Sequence, residues 1–293
     1  PRPRDRRRPT PDRLMPALVA FCAVGLVLSF LIGYVWARRP AGARTSAAAR
    51  LRAARAQLDR TLGPAGSFIV FLGAGTFLVT AVCLPLGELC QRLLRAHDVP
   101  MFDLAQRHVR PGAWTDAMNV LTRSGNVWPT RYVAVAAVVV LTLVALKTHR
   151  PPWVPALLIG SVTAVERFQQ TTLAALVDRG HPPTTLGTYP SGGCARLISI
   201  YGAITLVTLS YLKAAPRVRA AVWGGLAAFA FLEGYTRWYL SKHWITDVYA
   251  GWIYGYLLLA VAVFAGWSLL AERTDGEPPG DGEPEPVRAA SAG

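Results

Sequence analysis

The stretch that decides the fold is the apolar run at residues 247–271, D-V-Y-A-G-W-I-Y-G-Y-L-L-L-A-V-A-V-F-A-G-W-S-L-L-A, in which Asp247 is the only charged residue. A helix that crosses the hydrocarbon core of a bilayer needs about 20 mostly apolar residues. The run is long enough, and its residues do not alternate with the period of a barrel strand. It therefore predicts a transmembrane α-helix.

Comparable apolar runs precede it along the chain. They cover residues 15–36, 67–86, 131–146, 153–177, 195–212 and 220–240. In lipid the backbone polar groups must be satisfied within each segment, so these runs also predict helices. Only 16% of the residues are charged and 52% are apolar, whereas a soluble domain carries about 25% charged residues. We therefore expect an all-α, polytopic membrane protein, in which the shortest run begins its helix near Trp128.

The chain is strongly basic, with 31 Lys and Arg against 17 Asp and Glu and a net charge of +14. Alone, this surplus would favour nucleic acid or an anionic membrane surface as a partner. The apolar runs exclude a soluble nucleic-acid-binding domain, so the expected partners are membrane lipids with anionic headgroups, and no nucleic acid.

We expect five parts along the chain. They are a basic N-terminal arm (1–14), an extra transmembrane helix (15–36), a basic amphipathic linker (37–66), a six-helix membrane domain (67–271) and a disordered acidic tail (272–293). The linker is consistent with two interpretations, a helix that lies on anionic headgroups or a plain solvated helix. The tail is too rich in acids, Gly and Pro to form a core.

The chemistry is concentrated just before the last run, in Glu233-Gly-Tyr-Thr-Arg237-Trp-Tyr-Leu-Ser-Lys-His243-Trp-Ile-Thr-Asp247. Asp247 lies four residues after His243 at a helix start, so its carboxylate can accept one ring N–H and leave the other nitrogen basic. Arg237 supplies a planar fork that matches phosphate oxygens. Glu233 precedes Arg237 by one helical turn, and an ion pair would hold that Arg in place.

A second candidate element is Tyr189-Pro-Ser-Gly-Gly193, immediately before the run at 195–212. The N-terminus of a helix offers unpaired N–H groups and a positive dipole end, which favour anions. Gly192 and Gly193 would present backbone N–H groups, and the hydroxyl of Ser191 would add a donor. The same residues are also ordinary turn formers.

Together these residues resemble the type-2 phosphatidic acid phosphatase family, a membrane family that shares its fold with vanadium haloperoxidases and acid phosphatases. Pro190-Ser191-Gly192 is similar to the second signature of the family, and residues 98–126 resemble the run that leads into its second core helix. The third signature is matched by Arg237, His243 and Asp247, followed by Val248, Gly251 and Trp252. The resemblance covers residues 67–271 and implies six core helices, a phosphohistidine at His243, and no metal or other cofactor.

Three side chains depart from the pattern of the family. Its first signature is Lys-x6-Arg-Pro, but Ala174 stands at the Lys and His181 at the Arg. Gly193 replaces the His that protonates the leaving group in the family, a role typically worth about 10²–10⁴-fold in rate. His181 is the candidate substitute acid, and Arg179 and Arg196 are candidates to restore the lost positive charge around phosphate.

The resemblance implies a membrane lipid-phosphate or polyprenyl (pyro)phosphate phosphatase. Two alternatives stay open: a catalytically impaired relative that binds lipid phosphates or scaffolds membrane partners, and a phosphotransferase that uses a lipid acceptor. The absent side chains favour the impaired relative, while the intact Arg237, His243 and Asp247 favour an enzyme. A pyrophosphate leaving group would need less acid assistance than an alkoxide.

The orientation is poorly determined by charge, because Lys and Arg are equally numerous on the two predicted sides of the membrane. The short loops at 147–152 and 213–219 are basic and favour a cytoplasmic location for that side, whereas the N-terminal arm favours the reverse. We expect a multi-pass protein of the cell membrane with its site on the outer face.

Overall fold

A computed structural model describes residues 11–38, 46–185 and 187–270 of the chain. The acidic tail at 272–293 lies outside the described residues, as do most of the basic arm and part of the linker. Within the described ranges the elements are helical and no strand is present.

The helices agree with the apolar runs. In chain order they are α1 (Pro11–Arg38), α2 (Ser46–Leu93), a π turn (Leu94–Asp98), α3 (Val99–His108), α4 (Ala113–Leu121), α5 (Val127–Lys147), α6 (Val154–Val177), α7 (Gly192–Tyr211), α8 (Pro216–Tyr239) and α9 (Ile245–Leu270). The protein is an all-α, polytopic membrane protein, as the sequence predicts. The helix of the shortest run begins at Val127, next to the expected Trp128.

Five helical stretches are long and apolar enough to cross a membrane by length and composition. They are Met15–Arg38, Arg50–His108, Val127–Lys147, Gly192–Tyr211 and Ile245–Leu270. The helices α6 and α8 are also long enough, at 24 residues each. They are less apolar because both carry charged residues, including Glu166 and Arg237, that are buried inside the bundle.

The core surrounds α7, which packs against α5, α6, α8 and α9, while α2 packs against α6 and α9. The helices α7 and α9 approach each other closely. A Cβ on Gly255 of α9 would lie only 3.0 Å from the Cα of Ala195 on α7. Nearer the start of α9, a Cβ on Gly251 would lie 2.6 Å from the carbonyl oxygen of Ser191, the residue before α7, so the beginnings of the two helices lie at the same end of the bundle.

The basic linker is docked onto the bundle. Gly63, with a φ of 71°, breaks α2 between its basic part and its membrane part. Arg55 is buried, donates from Nε to Ser268 Oγ (3.1 Å) and stacks 4.7 Å from the ring of Phe264, both on α9. Neither the headgroup-facing nor the solvated interpretation of the linker included this contact.

The extra helix α1 packs along α8 through small residues. A Cβ on Gly33 would lie 3.0 Å from the carbonyl oxygen of Trp223 and 3.1 Å from the Cα of Gly224. A Cβ on Gly224 would in turn lie 2.8 Å from the carbonyl oxygen of Phe30. Helices in lipid associate through close packing rather than a hydrophobic driving force, and small residues at the interface permit it.

We predict that Gly33→Leu separates α1 from α8 and destabilises the protein by about 1–3 kcal/mol, the usual cost of overpacking. The matched control is Gly73→Leu on α2, where an added Cβ meets no atom within 4 Å. That control should change stability by less than about 0.5 kcal/mol. The measurement is the midpoint of thermal unfolding in detergent, and equal shifts for the two variants would contradict this packing.

Candidate active site

The candidate residues gather where α8 ends and α7 and α9 begin. His243 lies in the turn between α8 and α9, and Asp247 lies in the first turn of α9. The loop that follows α6 covers this turn. Three hydrogen bonds attach it, from Thr184 Oγ1 to Ser241 O (2.7 Å), from Thr185 Oγ1 to Lys242 O (2.7 Å) and from Trp244 Nε1 to Gly180 O (2.8 Å).

His243 is only 9% exposed, and its Nδ1 faces Asp247 Oδ2 at 3.8 Å. This separation is longer than a hydrogen bond, and neither atom has a partner within the described part of the chain. Burial lowers the pKa of His243 below its ordinary value, while the Asp247 carboxylate opposes that shift. The imidazole is therefore held neutral, the form that a nucleophilic His requires.

Asp247 is held by a buried cluster that sequence reasoning missed. Its Oδ1 accepts from NH1 of Arg179 (3.0 Å), and the other terminal nitrogen of Arg179 donates to Asp98 Oδ2. Asp98 Oδ1 also accepts the backbone N–H of Thr246 (2.9 Å). Arg179 was a candidate phosphate ligand, but its guanidinium is bound between two carboxylates. Arg179 therefore holds Asp247 in position, and its terminal nitrogens are already bound to carboxylates.

Arg237 is fixed in the way that its spacing from Glu233 predicts, with Nε donating to Glu233 Oε1 at 2.7 Å. Its NH2 donates to the carbonyl oxygen of Thr122 (2.9 Å) and to Asn126 Oδ1 (2.8 Å). Its NH1 makes no hydrogen bond to any described residue, so it can bind an anion. The turn at 122–126 was not predicted to act here, since its polar atoms carry no sequence pattern.

The two candidate elements meet through the backbone. The N–H of Ser191, the residue before α7, donates to the carbonyl oxygen of Asp247 (3.0 Å). This bond places the N-terminus of α7 beside the turn that carries His243. The hydroxyl of Ser191 is buried and has no hydrogen-bond partner in the described ranges. A donor that lacks a partner at a helix N-terminus suits a bound anion.

The glycines of the second element are packed against two guanidinium groups. A Cβ on Gly193 would lie 2.6 Å from NH2 of Arg237, and a Cβ on Gly192 would lie 2.7 Å from NH1 of Arg196. Neither contact is sterically acceptable, so both positions require glycine unless the guanidinium moves. The space beside residue 193, where the family carries its His, is filled here by Arg237.

Arg196 lies within the same cluster. Its Nε donates to the carbonyl oxygen of Gly125 (3.0 Å), and its NH1 lies 3.4 Å from Glu166 Oε1. Lys242 is half-buried, and burial, followed by the nearby Arg237 cation, lowers its pKa. The cations Arg196 and Arg237 therefore lie against the first turn of α7, and Lys242 lies near Arg237.

His181 is not brought into this cluster. Its side chain is exposed, and its Nδ1 lies 2.9 Å from the carbonyl oxygen of Pro182. Among the described residues it forms no hydrogen bond or ion pair with His243, Asp247 or Arg237. The structure thus supplies no contact for its role as a substitute acid.

We predict that Arg179→Gln destabilises the protein by about 3–5 kcal/mol, because it leaves two buried carboxylates without their counter-charge. The matched control is Arg92→Gln, which breaks the ion pair between Arg92 and Glu88. The side chains of this pair are 79% and 72% exposed, respectively. Exposed pairs contribute at most about 1 kcal/mol. Thermal unfolding in detergent provides the comparison, and a smaller loss for Arg179→Gln than for Arg92→Gln would refute the buried cluster.

Comparison with known proteins agrees with the fold. No curated protein matches the chain. The structure is similar to the crystal structure of the first transmembrane PAP2 type phosphatidylglycerolphosphate phosphatase from Bacillus subtilis, with a TM-score of 0.56 and 19% sequence identity. The match covers 68% of this chain and 98% of that one. The family model of the PAP2 superfamily matches residues 128–269, which include the site residues from Arg179 to Asp247 but not Asp98 or the turn at 122–126. On these observations, the chain belongs to the PAP2 superfamily.

Proposed function

We propose that the protein is a membrane lipid-phosphate or polyprenyl (pyro)phosphate phosphatase that acts through a phosphohistidine at His243. The observation that carries the proposal is the bond from Ser191 N–H to the Asp247 carbonyl. It joins a buried, neutral His to a helix N-terminus flanked by Arg196 and Arg237. Membership of a family of membrane phosphatases supports a lipid phosphate as the substrate.

The proposed reaction has two displacements at phosphorus. His243 Nε2 attacks phosphorus, the bond from phosphorus to the leaving oxygen breaks, and that oxygen departs with the bonding electrons. Water then attacks phosphorus, the bond from phosphorus to Nε2 breaks with its electrons returning to the ring, and one proton of the water passes to solvent. Inorganic phosphate and neutral His243 are released. The Asp247 carboxylate stabilises the positive ring that forms in the first step.

The charge on the phosphoryl oxygens would be stabilised by groups already in place. The N–H groups of Gly192 and Gly193, the positive end of α7 and the guanidinium groups of Arg196 and Arg237 all lie at one point. Because these groups are held by other contacts, they need little reorganisation when negative charge develops. The acids Glu166 and Glu233 fix the two guanidinium groups.

The leaving group limits the choice of substrate. Gly193 cannot donate a proton, and His181 makes no contact with the site, so an alkoxide would have to depart without an evident acid. A lipid pyrophosphate instead releases a lipid phosphate, which is a stable anion. We therefore propose polyprenyl pyrophosphate as a better substrate than a phosphate monoester such as phosphatidic acid.

A catalytically impaired relative that binds lipid phosphates is the second candidate. Ala174, His181 and Gly193 favour it, because the Lys, Arg and His that the family carries at these positions are missing. A phosphotransferase would use the same histidine and differ only in the acceptor of the second step.

We also propose that the site faces the outer side of the cell membrane. The helix α5 begins beside Arg237 and runs to Lys147. The helix α7 begins at the proposed phosphate cradle, formed by Ser191, Gly192 and Gly193, and runs to Tyr211. The basic loops after these helices therefore lie at the end of the bundle opposite the site. Short basic loops favour the cytoplasm.

We predict that His243→Ala lowers phosphate release from polyprenyl pyrophosphate by at least about 10⁴-fold, because the nucleophile is lost. His181→Ala is the matched control and should stay within about twofold of the parent protein, since loop residues away from the chemistry have small effects. Phosphatidic acid, tested in parallel, should react about 10²-fold more slowly because it lacks acid assistance. Equal release from the parent and His243→Ala would contradict an enzymatic role. Binding without turnover, lost in Arg237→Ala, would support the binding relative.

We predict an acidic limb in the pH dependence of kcat/KM below about pH 6.5, the ordinary pKa of His. The rate falls as pH drops because protonation removes the nucleophilic lone pair, and burial places this protonation below the ordinary value. Asp247→Asn removes the charge that opposes the shift, so its residual activity should show a limb at still lower pH. A limb that moves upward in Asp247→Asn would exclude His243 as the titrating group.

A further inference from the structure

A groove with two arginines lies on the exposed surface of the helix bundle, between α5 and α6. The volume of this groove is about 710 Å³. Its walls are mostly apolar, with Arg131 and Arg167 as the charged residues and no acid. The other lining residues are Ala134, Val135, Val138, Val139, Ala156, Ile159, Gly160, Thr163, Ala164, Phe168 and Thr171.

The depth of Arg167 is unusual. It lies 13 residues after Val154 and 10 residues before Val177. At 1.5 Å per residue, its backbone is about 20 Å from one end of α6 and about 15 Å from the other. A position near the middle of a membrane-length helix lies within the hydrocarbon layer. An exposed guanidinium at such a depth is costly unless it has an anionic partner.

The acid that acts on Arg167 is the buried Glu166, and its single charge is shared with Arg196 and Arg131. The side chain of Arg167 is exposed, and it makes no hydrogen bond or ion pair with the residues that the structure describes. The adjacent Glu166 is buried and bound to Arg196, so it belongs to the candidate active site. One carboxylate therefore faces three guanidinium groups, and an anion from another molecule would neutralise the excess positive charge beside Arg167.

Arg131 lies closer to the membrane surface on the other wall of the groove. It is four residues after the start of α5, and its guanidinium lies 5.1 Å from the ring centroid of Trp128. Aromatic rings of this kind are enriched at the headgroup level. Each wall of the groove thus carries one arginine, and the apolar residues at 134–139 and 156–164 continue from them towards the end of the bundle where α5 ends and α6 begins.

We infer that this groove binds an anionic phospholipid of the surrounding bilayer, with its phosphate between Arg131 and Arg167 and an acyl chain along the apolar wall. Arginine forks match phosphate oxygens geometrically. No acid lines the groove itself, and the single charge of Glu166 is too small to balance the arginines around it. The site is separate from the cradle on α7, and the inference does not depend on the proposed catalysis.

The test uses the full chain in phosphatidylcholine nanodiscs with a small fraction of phosphatidylglycerol that carries a photoreactive group on its acyl chain. We expect labelled peptides from 134–139 and 156–164, with a yield about tenfold above that of photoreactive phosphatidylcholine. Arg131→Gln combined with Arg167→Gln should abolish this preference. The matched control, Arg95→Gln combined with Arg107→Gln, removes two exposed cations elsewhere and should retain it.

Two further experiments test the groove and the acyl chain separately. Gly160→Phe fills the groove without removing charge, since an added Cβ there meets no atom within 4 Å, and it should lower the labelling severalfold. Excess glycerol 3-phosphate should not compete, because it lacks the acyl chain. Unchanged preference in the double arginine variant, unchanged labelling in Gly160→Phe, or competition by glycerol 3-phosphate would overturn the proposal. Phosphate release assayed on the same variants keeps this result distinct from that on the catalytic proposal.

Discussion

The site depends on the guanidinium of Arg179, which lies between the carboxylates of Asp98 and Asp247. Asp98 lies in the turn after α2, Arg179 in the loop after α6 and Asp247 at the start of α9. A buried charge is tolerated only when it is paired and hydrogen-bonded, so each of the three fixes the position of the others. The position of His243 is affected too, because the Asp247 carboxylate that faces its ring cannot turn away without breaking its buried ion pair with Arg179.

A second arrangement follows the same rule on the other side of the cradle. Arg237 and Arg196 lie against the N-terminal turn of α7, with Glu233 and Glu166 as their respective partners. Glycines at 125, 192 and 193 let these groups approach the backbone closely. The replacement of the family His by Gly193 is thus linked to the position of Arg237. A side chain at residue 193 would require the Arg237 guanidinium to move from its present position.

Much of this arrangement could be predicted from local patterns. The spacing of Glu233 and Arg237 predicts their ion pair, and the spacing of His243 and Asp247 predicts that they face one another, although at 3.8 Å rather than in hydrogen-bond contact. The roles of Asp98 and of the turn at 122–126 could not be predicted. Their partners lie 148 and 115 residues away in the chain, and no local rule links residues so distant. The exposure of His181 was also beyond prediction, because it depends on how the loop after α6 lies on the turn at 240–244.

The sequence by itself determined that this is an all-α membrane protein, because the length and apolar character of each helix are local properties that the bilayer selects. It also determined the family, since Arg237, His243 and Asp247 stand close together in the chain. Only the tertiary structure decided the assignment of the remaining cations. Arg179 supports Asp247, Arg196 faces the cradle, and Arg167 points away into a groove on the outer surface. All three residues are arginines, so residue type does not distinguish their roles. Their roles differ because each helix or loop directs its side chain to a different neighbour, and packing across the whole bundle sets that direction.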